Sequence, residues 1–231
     1  MNKKFTKEDL LPFCADPDNE PLRPWIKEPW INEQTGDVWA SEGHYVLILK
    51  RPLVSGRFKK YHYGNNIKIP QEGIRVTIDF AAIDAAYDKV EKYVETTKVT
   101  LDEVDECIDC GGTGEVDWEY TDLDGNTHYM SEECPVCHGE RQVNVVIEKP
   151  TGRMLPKPQQ IFRLHRVLFD VRTFMYVETA LRDLGFSKLV WVHENPMDTN
   201  IFEVAEGITL LMMPMLGDGK TEDGIIDISI K

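Results

Sequence analysis

Cys107-Ile-Asp-Cys110-Gly-Gly-Thr-Gly114 and Cys134-Pro-Val-Cys137-His-Gly-Glu-Arg141 decide how the middle of this 231-residue chain folds. Two residues between cysteines let both sulfurs turn onto one ion, and two such knuckles supply four tetrahedral thiolate ligands. Glycines after the second cysteine of each pair let backbone N–H groups bend back towards sulfur and spread its charge. The expectation is a structural Zn2+ held by Cys107, Cys110, Cys134 and Cys137, with no open position and therefore no catalysis. His128 and His138 are the alternative ligands, and Cys14 reads as a small buried hydrophobe. Two disulfides or a redox pair are the competing chemistry. A redox pair would open a helix after a strand, whereas glycines and acids follow these cysteines. No apolar stretch follows the charged start, and no run approaches a membrane span. A cytoplasmic protein with reduced thiols and no membrane contact is expected.

Between the knuckles lie Glu115-Val-Asp-Trp-Glu-Tyr-Thr121, Asp124-Gly125 and Asn126-Thr-His-Tyr-Met130. Alternation around Asp-Gly predicts a β-hairpin with both cysteine pairs at its base, a zinc-finger-like arm. Residues 107–141 resemble the cysteine-rich region of J-domain co-chaperones. The first knuckle matches in full, and the second ends in Arg141 where the pattern has glycine. There are two such repeats here instead of four, and no His-Pro-Asp tripeptide, so the likeness implies shared knuckle physics.

Charge divides the chain. Its net charge is -14, and residues 99–134 hold twelve Asp/Glu and no Lys or Arg. Such an arm repels nucleic acid and reads as a strut or a protein-facing surface, with a solvated acidic face as the plain reading. Residues 43–71 are the opposite, with Lys50, Arg51, Arg57, Lys59, Lys60 and Lys68 and no acid. Tyr61, His62 and Tyr63 interleave, a mixture that could track a phosphate backbone and stack on bases. A solvated loop is the plain alternative.

The expected divisions are residues 1–104 and 147–231 as one body, interrupted by an arm over 105–146. Thr6-Lys-Glu-Asp9 reads as a capping box on a helix cut short by Pro12. Trp25–Ile31, Val38–Ala40 and Tyr45–Leu49 read as a meander, with Pro29 sending the first strand to an edge or a bulge. Ile74–Ile78 reads as a strand, followed by a helix capped by Asp79 with Ile83, Tyr87, Val90 and Val94 on one stripe. Gln142–Ile147 reads as a returning strand, Thr151–Pro158 as a loop and Ile161–Leu168 as extended. Asp170 is expected to cap a second helix with stripe Phe174, Val177, Leu181 and Leu184, stopped by Gly185. Lys188–His193, Asn200–Val204, Ile208–Met215 and a short Ile225–Ile230 complete the strands. The expected class is α+β, with antiparallel sheets, two main helices and an inserted zinc-binding hairpin.

Two segments of this order resemble the bacterial DNA polymerase sliding clamp. Leu22-Arg23-Pro24 precedes Ala40-Ser-Glu-Gly43-His44-Tyr-Val-Leu47, where clamps have Arg-Pro and later Ala-Thr-Asp-Gly-His-Arg-Leu. Leu211-Met-Met-Pro-Met215 resembles the Val-Met-Pro-Met-Arg that closes a clamp chain, with Leu216 in place of arginine. The resemblance implies a pocket for short peptide motifs of partner proteins, lined by Gly43, His44, Met213, Pro214 and Met215, with Val46 and Leu47 as neighbours. It also implies a homo-oligomer and a role in DNA replication or repair, for which the 50–68 basic segment, read from its own residues, is the candidate DNA contact. Without the resemblance, Leu210–Met215 reads as a buried sheet edge. Outside the arm the chain has too little length for two full clamp subdomains, so ring closure is not implied.

No enzyme is expected. Gly217-Asp-Gly-Lys-Thr221 lacks the leading glycine of a P-loop. No zinc-deaminase, Gly-x-Ser-x-Gly, His-Glu-x-x-His or Gly-x-Gly-x-x-Gly pattern occurs, and no catalytic residue stands out. The alternative to the clamp-like reading is a zinc-knuckle adaptor or chaperone-like module without a DNA role.

Overall fold

The computed structural model describes residues 4–16, 18, 23–62, 75–215 and 224–229. The features read at Leu22, Tyr63, Lys68, Leu216 and Gly217–Thr221, and the ends at Ile74 and Ile230, lie outside the described residues. The chain divides into two compact units, residues 1–91 with 156–231, and residues 92–155.

The first unit is built on one sheet. Its strands in chain order are β1 (Trp30–Asn32), β2 (Val38–Ser41), β3 (Tyr45–Leu49), β4 (Lys59–Tyr61) and β5 (Val76–Asp79). The second unit follows with β6 (Lys92–Glu106), β7 (Glu115–Thr121), β8 (Thr127–Glu133) and β9 (Gln142–Pro156). The first unit resumes with β10 (Ile161–Leu164), β11 (Val167–Asp170), β12 (Lys188–His193), β13 (Asn200–Ala205), β14 (Ile208–Met212) and β15 (Ile225–Asp227). Helices are α1 (Lys7–Leu10), α2 (Phe80–Tyr87) and α3 (Val171–Asp183). The large sheet runs β4-β1-β2-β3-β14-β13-β12-β5, and only the β1–β4 pair is parallel. A smaller sheet, β11-β10-β15, lies in the same unit. The chain is α+β with largely antiparallel sheets and two main helices, as its patterning predicts.

Strand alternation sorts the large sheet into two faces. Inward go Val38 and Ala40, Leu47 and Leu49, Leu210 and Met212, Phe202 and Trp191. They share one core with Phe80 and Ile83 of α2, Phe174, Val177 and Leu181 of α3, and Phe162 and Phe169 of the small sheet. Each of the larger apolar side chains among them contributes roughly 1.5–3 kcal/mol on burial, so this layer fixes the body. The opposite face is also apolar. Trp39, Val46 and Ile48 continue into Leu211, Ile201 and Val192.

Local signals set the element ends. Asp170 caps α3 by accepting the Thr173 N–H at 2.7 Å, and Gly185 follows the helix with φ +93. Thr6 and Asp9 form the reciprocal capping box on the single turn of α1. Asp79 sits at the start of α2, but its side chain accepts no capping bond.

Several expectations need correction. The helix after Asp79 stops at Tyr87, and Val94 lies in β6. The stretch from Tyr93 to Val104 is rich in Val and Thr, whose branched side chains suit a strand. The Thr151–Pro158 loop is instead the last part of β9, which runs to Pro156 and pairs with β6. There, pairing along a long ribbon overrides the turn chemistry of Gly152, which sits at φ +82. Trp25–Ile31 is not one strand, because Pro24 opens a 3-10 turn and β1 starts only after Pro29. That strand lies between β2 and β4, so Pro29 precedes the ladder and does not mark an edge.

The second unit consists of the β6–β9 ribbon, the two cysteine knuckles and the β7–β8 hairpin. The hairpin closes at Asp124-Gly125, where Gly125 takes φ +86 and Asp122 accepts the N–H groups of Asp124 and Asn126.

Candidate metal centre and the seam between β3 and β14

The two knuckles repeat at an offset of 27 residues and are tied to each other by a reciprocal pair of backbone bonds. The Cys107 N–H donates to the Arg141 carbonyl, and the Cys134 N–H donates to the Gly114 carbonyl, both at 2.9 Å. Within each knuckle the chain turns back on itself: Gly112 N–H reaches Cys107 O, and His138 N–H reaches Cys134 O. These turns bring Cys107, Cys110, Cys134 and Cys137 together, with all four sulfurs within 4.8 Å of one another. Three of the cysteines are buried and Cys110 is half-buried.

The donor set fits a tetrahedral thiolate site. Cys107 Sγ lies 3.8 Å from Cys134 Sγ, and Cys110 Sγ lies 3.8 Å from Cys137 Sγ. Four sulfurs at ~2.3 Å from one zinc ion would stand ~3.8 Å apart along each tetrahedral edge. A disulfide needs about 2.05 Å, and all five cysteines are free. The Gly114 N–H donates to Cys110 Sγ at 3.3 Å, the charge-spreading bond the glycine pattern predicts. Burial pushes the Cys107 thiol up to about 11. At Cys110 burial also raises the value, but the Gly114 N–H and the neighbouring sulfurs outweigh it and bring it down to about 7. The four cysteines are thus positioned to hold a metal ion. Val116 and Val143 pack against them, and neither histidine is in the cluster. His128 instead faces Asp122 across 2.9 Å.

The residues singled out in the body also come together in part. β3 pairs with β14 in antiparallel register, Val46 opposite Leu211 and Leu47 opposite Leu210. Beyond the ladder the Met213 N–H donates to the His44 carbonyl at 2.8 Å, which joins the Gly43-His44 turn to Met213-Pro214-Met215. His44 and Met213 are exposed, Pro214 and Met215 half-buried. Val46 lies on the outer apolar face with Leu211. Leu47 is fully buried in the main core, so its side chain cannot line an outward groove. Gly43 has a local reason to be glycine: its φ is +115, and a Cβ there would fall 2.7 Å from an Arg23 guanidinium nitrogen. Val192 and Ile201 complete the outer patch, and the sequence reading passes over them. Both strands carry a register shift, β12 between Trp191 and His193 and β13 between Glu203 and Ala205, so simple alternation does not announce these two residues.

His44 and Tyr45 also line a cavity of about 610 Å³ together with Cys14, Arg23 and Arg172. Burial, reinforced by the charge of Glu42, holds the Tyr45 phenol well above its ordinary range. Burial pushes Cys14 up to about 12, so it stays a neutral thiol.

The basic segment is largely engaged within the protein. Lys50 pairs with Asp37 at 2.9 Å, and Lys59 pairs with Glu28. Arg51 donates to the carbonyls of Val54 and Gly56. Arg57 and Lys60 are exposed. No described helix is long and apolar enough to cross a membrane.

No protein-family model matches this chain, and no curated protein matches it. Solved structures similar to it are bacterial sliding clamps. The Caulobacter crescentus beta sliding clamp is 11% identical with a TM-score of 0.40, covering 90% of this chain and 62% of the clamp. The Pseudomonas aeruginosa DNA polymerase sliding clamp is 12% identical at TM-score 0.40, covering 91% of this chain and 63% of that one. DNA polymerase III subunit beta from Borrelia burgdorferi is 11% identical at TM-score 0.43, covering 90% and 60%. The chain spans about three-fifths of the length of these structures.

Proposed function

We propose that this chain is a non-enzymatic accessory protein that binds short peptide motifs of partner proteins at the β3–β14 seam, in DNA replication or repair, and carries an arm stapled by structural Zn2+. The observation that carries the reading is the Met213 N–H to His44 carbonyl bond. It brings together, from opposite ends of the chain, the two segments whose sequences resemble the sliding-clamp pocket. Val46 and Leu211 supply an apolar floor beside them, and the flexible thioethers of Met213 and Met215 suit a groove that adapts to several peptides. Pocket contact is assigned to His44, Val46, Met213, Pro214 and Met215, with Gly43 shaping the turn. DNA contact falls to Arg57 and Lys60, since Lys50, Arg51 and Lys59 are occupied within the body. The metal supplies rigidity to the arm: it holds the knuckles closed, a contribution that in small zinc modules amounts to the folding energy itself.

Calorimetric titration of the full chain with a clamp-binding peptide tests the seam. Saturable binding that weakens about tenfold in Met213→Ala is expected. Absence of binding, or binding indifferent to that substitution, removes the seam reading and leaves the arm as the functional element.

A further inference from the structure

The β7–β8 hairpin has one face richer in apolar and aromatic side chains and one richer in carboxylates. Residues opposite one another in the ladder share a face, which places Trp118 across from Met130 and Tyr120 across from His128. Trp118, Tyr120 and Met130 are 52%, 55% and 48% exposed, far above what such side chains show in a folded interior. Tyr120 and His128 stack with ring centroids 5.0 Å apart. The reverse face carries Glu115, Asp117 and Glu119 along β7 with Tyr129, Ser131 and Glu133 along β8, so it is acidic with one exposed ring, while Glu132 stands on the aromatic face opposite Val116. Only Val116, at the cysteine end, is drawn into the packing around the sulfurs. Among the described residues, β7 and β8 pair only with each other, so each has an outer edge with open N–H and C=O groups.

An exposed aromatic patch marks an interaction surface, and the charge around it selects the occupant. Residues 99–134 hold twelve carboxylates and no Lys or Arg, and within that stretch only Asp122 faces a histidine, His128. A nucleic acid would be repelled. A cationic chain meets carboxylates along the strands and aromatic faces on which guanidinium and ammonium groups stack. An extended one can also hydrogen-bond along an open strand edge.

We propose that the Trp118/Tyr120/Met130 face of the hairpin docks an extended Lys/Arg-rich segment of a partner protein, its cations over the two rings and among the surrounding carboxylates. This surface is separate from the β3–β14 seam, so either can fail without the other. It uses the metal only to hold the hairpin's base closed.

The test is fluorescence anisotropy on the zinc-loaded full chain, with a labelled peptide of about ten residues alternating Arg and Val. Saturable binding that falls with rising salt is expected, together with no binding of the same peptide carrying Glu for Arg. Trp118→Ser with Tyr120→Ser should weaken binding at least about tenfold, whereas Met213→Ala should leave it unchanged. Metal content checks that the double variant is folded. Glu132→Gln, on the docking face opposite Val116, should flatten the salt dependence and serves as an independent second variant. The proposal is overturned by no saturable binding of the Arg/Val peptide, or by binding that survives the aromatic substitutions. Self-association of the full chain that disappears in the aromatic double variant would also overturn it, since a second copy would then occupy the face.

Discussion

Arg141 stands in the second knuckle where Gly114 stands in the first, and both have left-handed backbone, φ +68 and φ +84. Each accepts the N–H of the other knuckle's first cysteine. An L side chain in this region costs roughly 1–2 kcal/mol, and glycine avoids it. Arg141→Gly is therefore expected to stabilise the metal-loaded arm by about 1 kcal/mol. Gly114→Ala should do the reverse and more strongly, since its Cβ would also fall 2.9 Å from the Gly139 carbonyl oxygen. Chelator competition curves on the two variants would order them. Equal midpoints would mean that the backbone at these sites carries no strain.

One zinc per chain is expected by elemental analysis of the purified protein. Substituting Cys107, Cys134 or Cys137 with Ser should abolish binding, because each removes one of four ligands at a closed site. Cys14→Ser should leave the metal content intact, as Cys14 lies in the core of the other unit, its thiol directed at the Leu10 carbonyl. After chelation, hydrogen exchange should rise across residues 105–143 while the buried strands β3, β13 and β14 keep their protection.

The two helix starts differ although both carry aspartate. Asp170→Ala removes the bond to the Thr173 N–H and should cost about 1 kcal/mol. Asp79→Ala removes no capping bond at α2 and should cost no more than a few tenths of that. Chemical denaturation of both variants checks the contrast.

These caps show what patterning can and cannot convey. Ser/Thr/Asp caps, glycine stops and the Cys-x-x-Cys spacing are local chemistry, and α1, α3, the hairpin and the sulfur cluster are all legible from it. Val94 suits a helix stripe by its spacing from Val90. The Val/Thr-rich run after it leans towards a strand, but the pairing of β6 with β9 decides the matter, and no local window contains that partner. Likeness to clamps puts Leu47 beside the pocket, but strand parity sends it to the core and its neighbour Val46 outward. Parity becomes readable only once the register of β3 on β14 is known. For the same reason Val192 and Ile201 escape a reading of the sequence alone.

Glu28 sits between two lysines from distant parts of the body, Lys7 on α1 and Lys59 on edge strand β4. Hydrogen bonds from Lys59 and then from Lys7 hold its carboxyl below the usual carboxylate range. A carboxylate depressed in the folded state binds its proton more tightly when unfolded, so its stabilisation is present above about pH 4.3 and is lost as pH falls through the folded value. Glu28→Gln should therefore lower stability by about 0.5–1 kcal/mol near neutral pH, the range of a partly screened pair. The gap from the unsubstituted protein should close on acidification, with the two melting temperatures converging once Glu28 is protonated. Thermal melts of both proteins at neutral and acid pH read this directly. A gap that persists at acid pH would show that the substituted amide disturbs packing, with the two ion pairs contributing little.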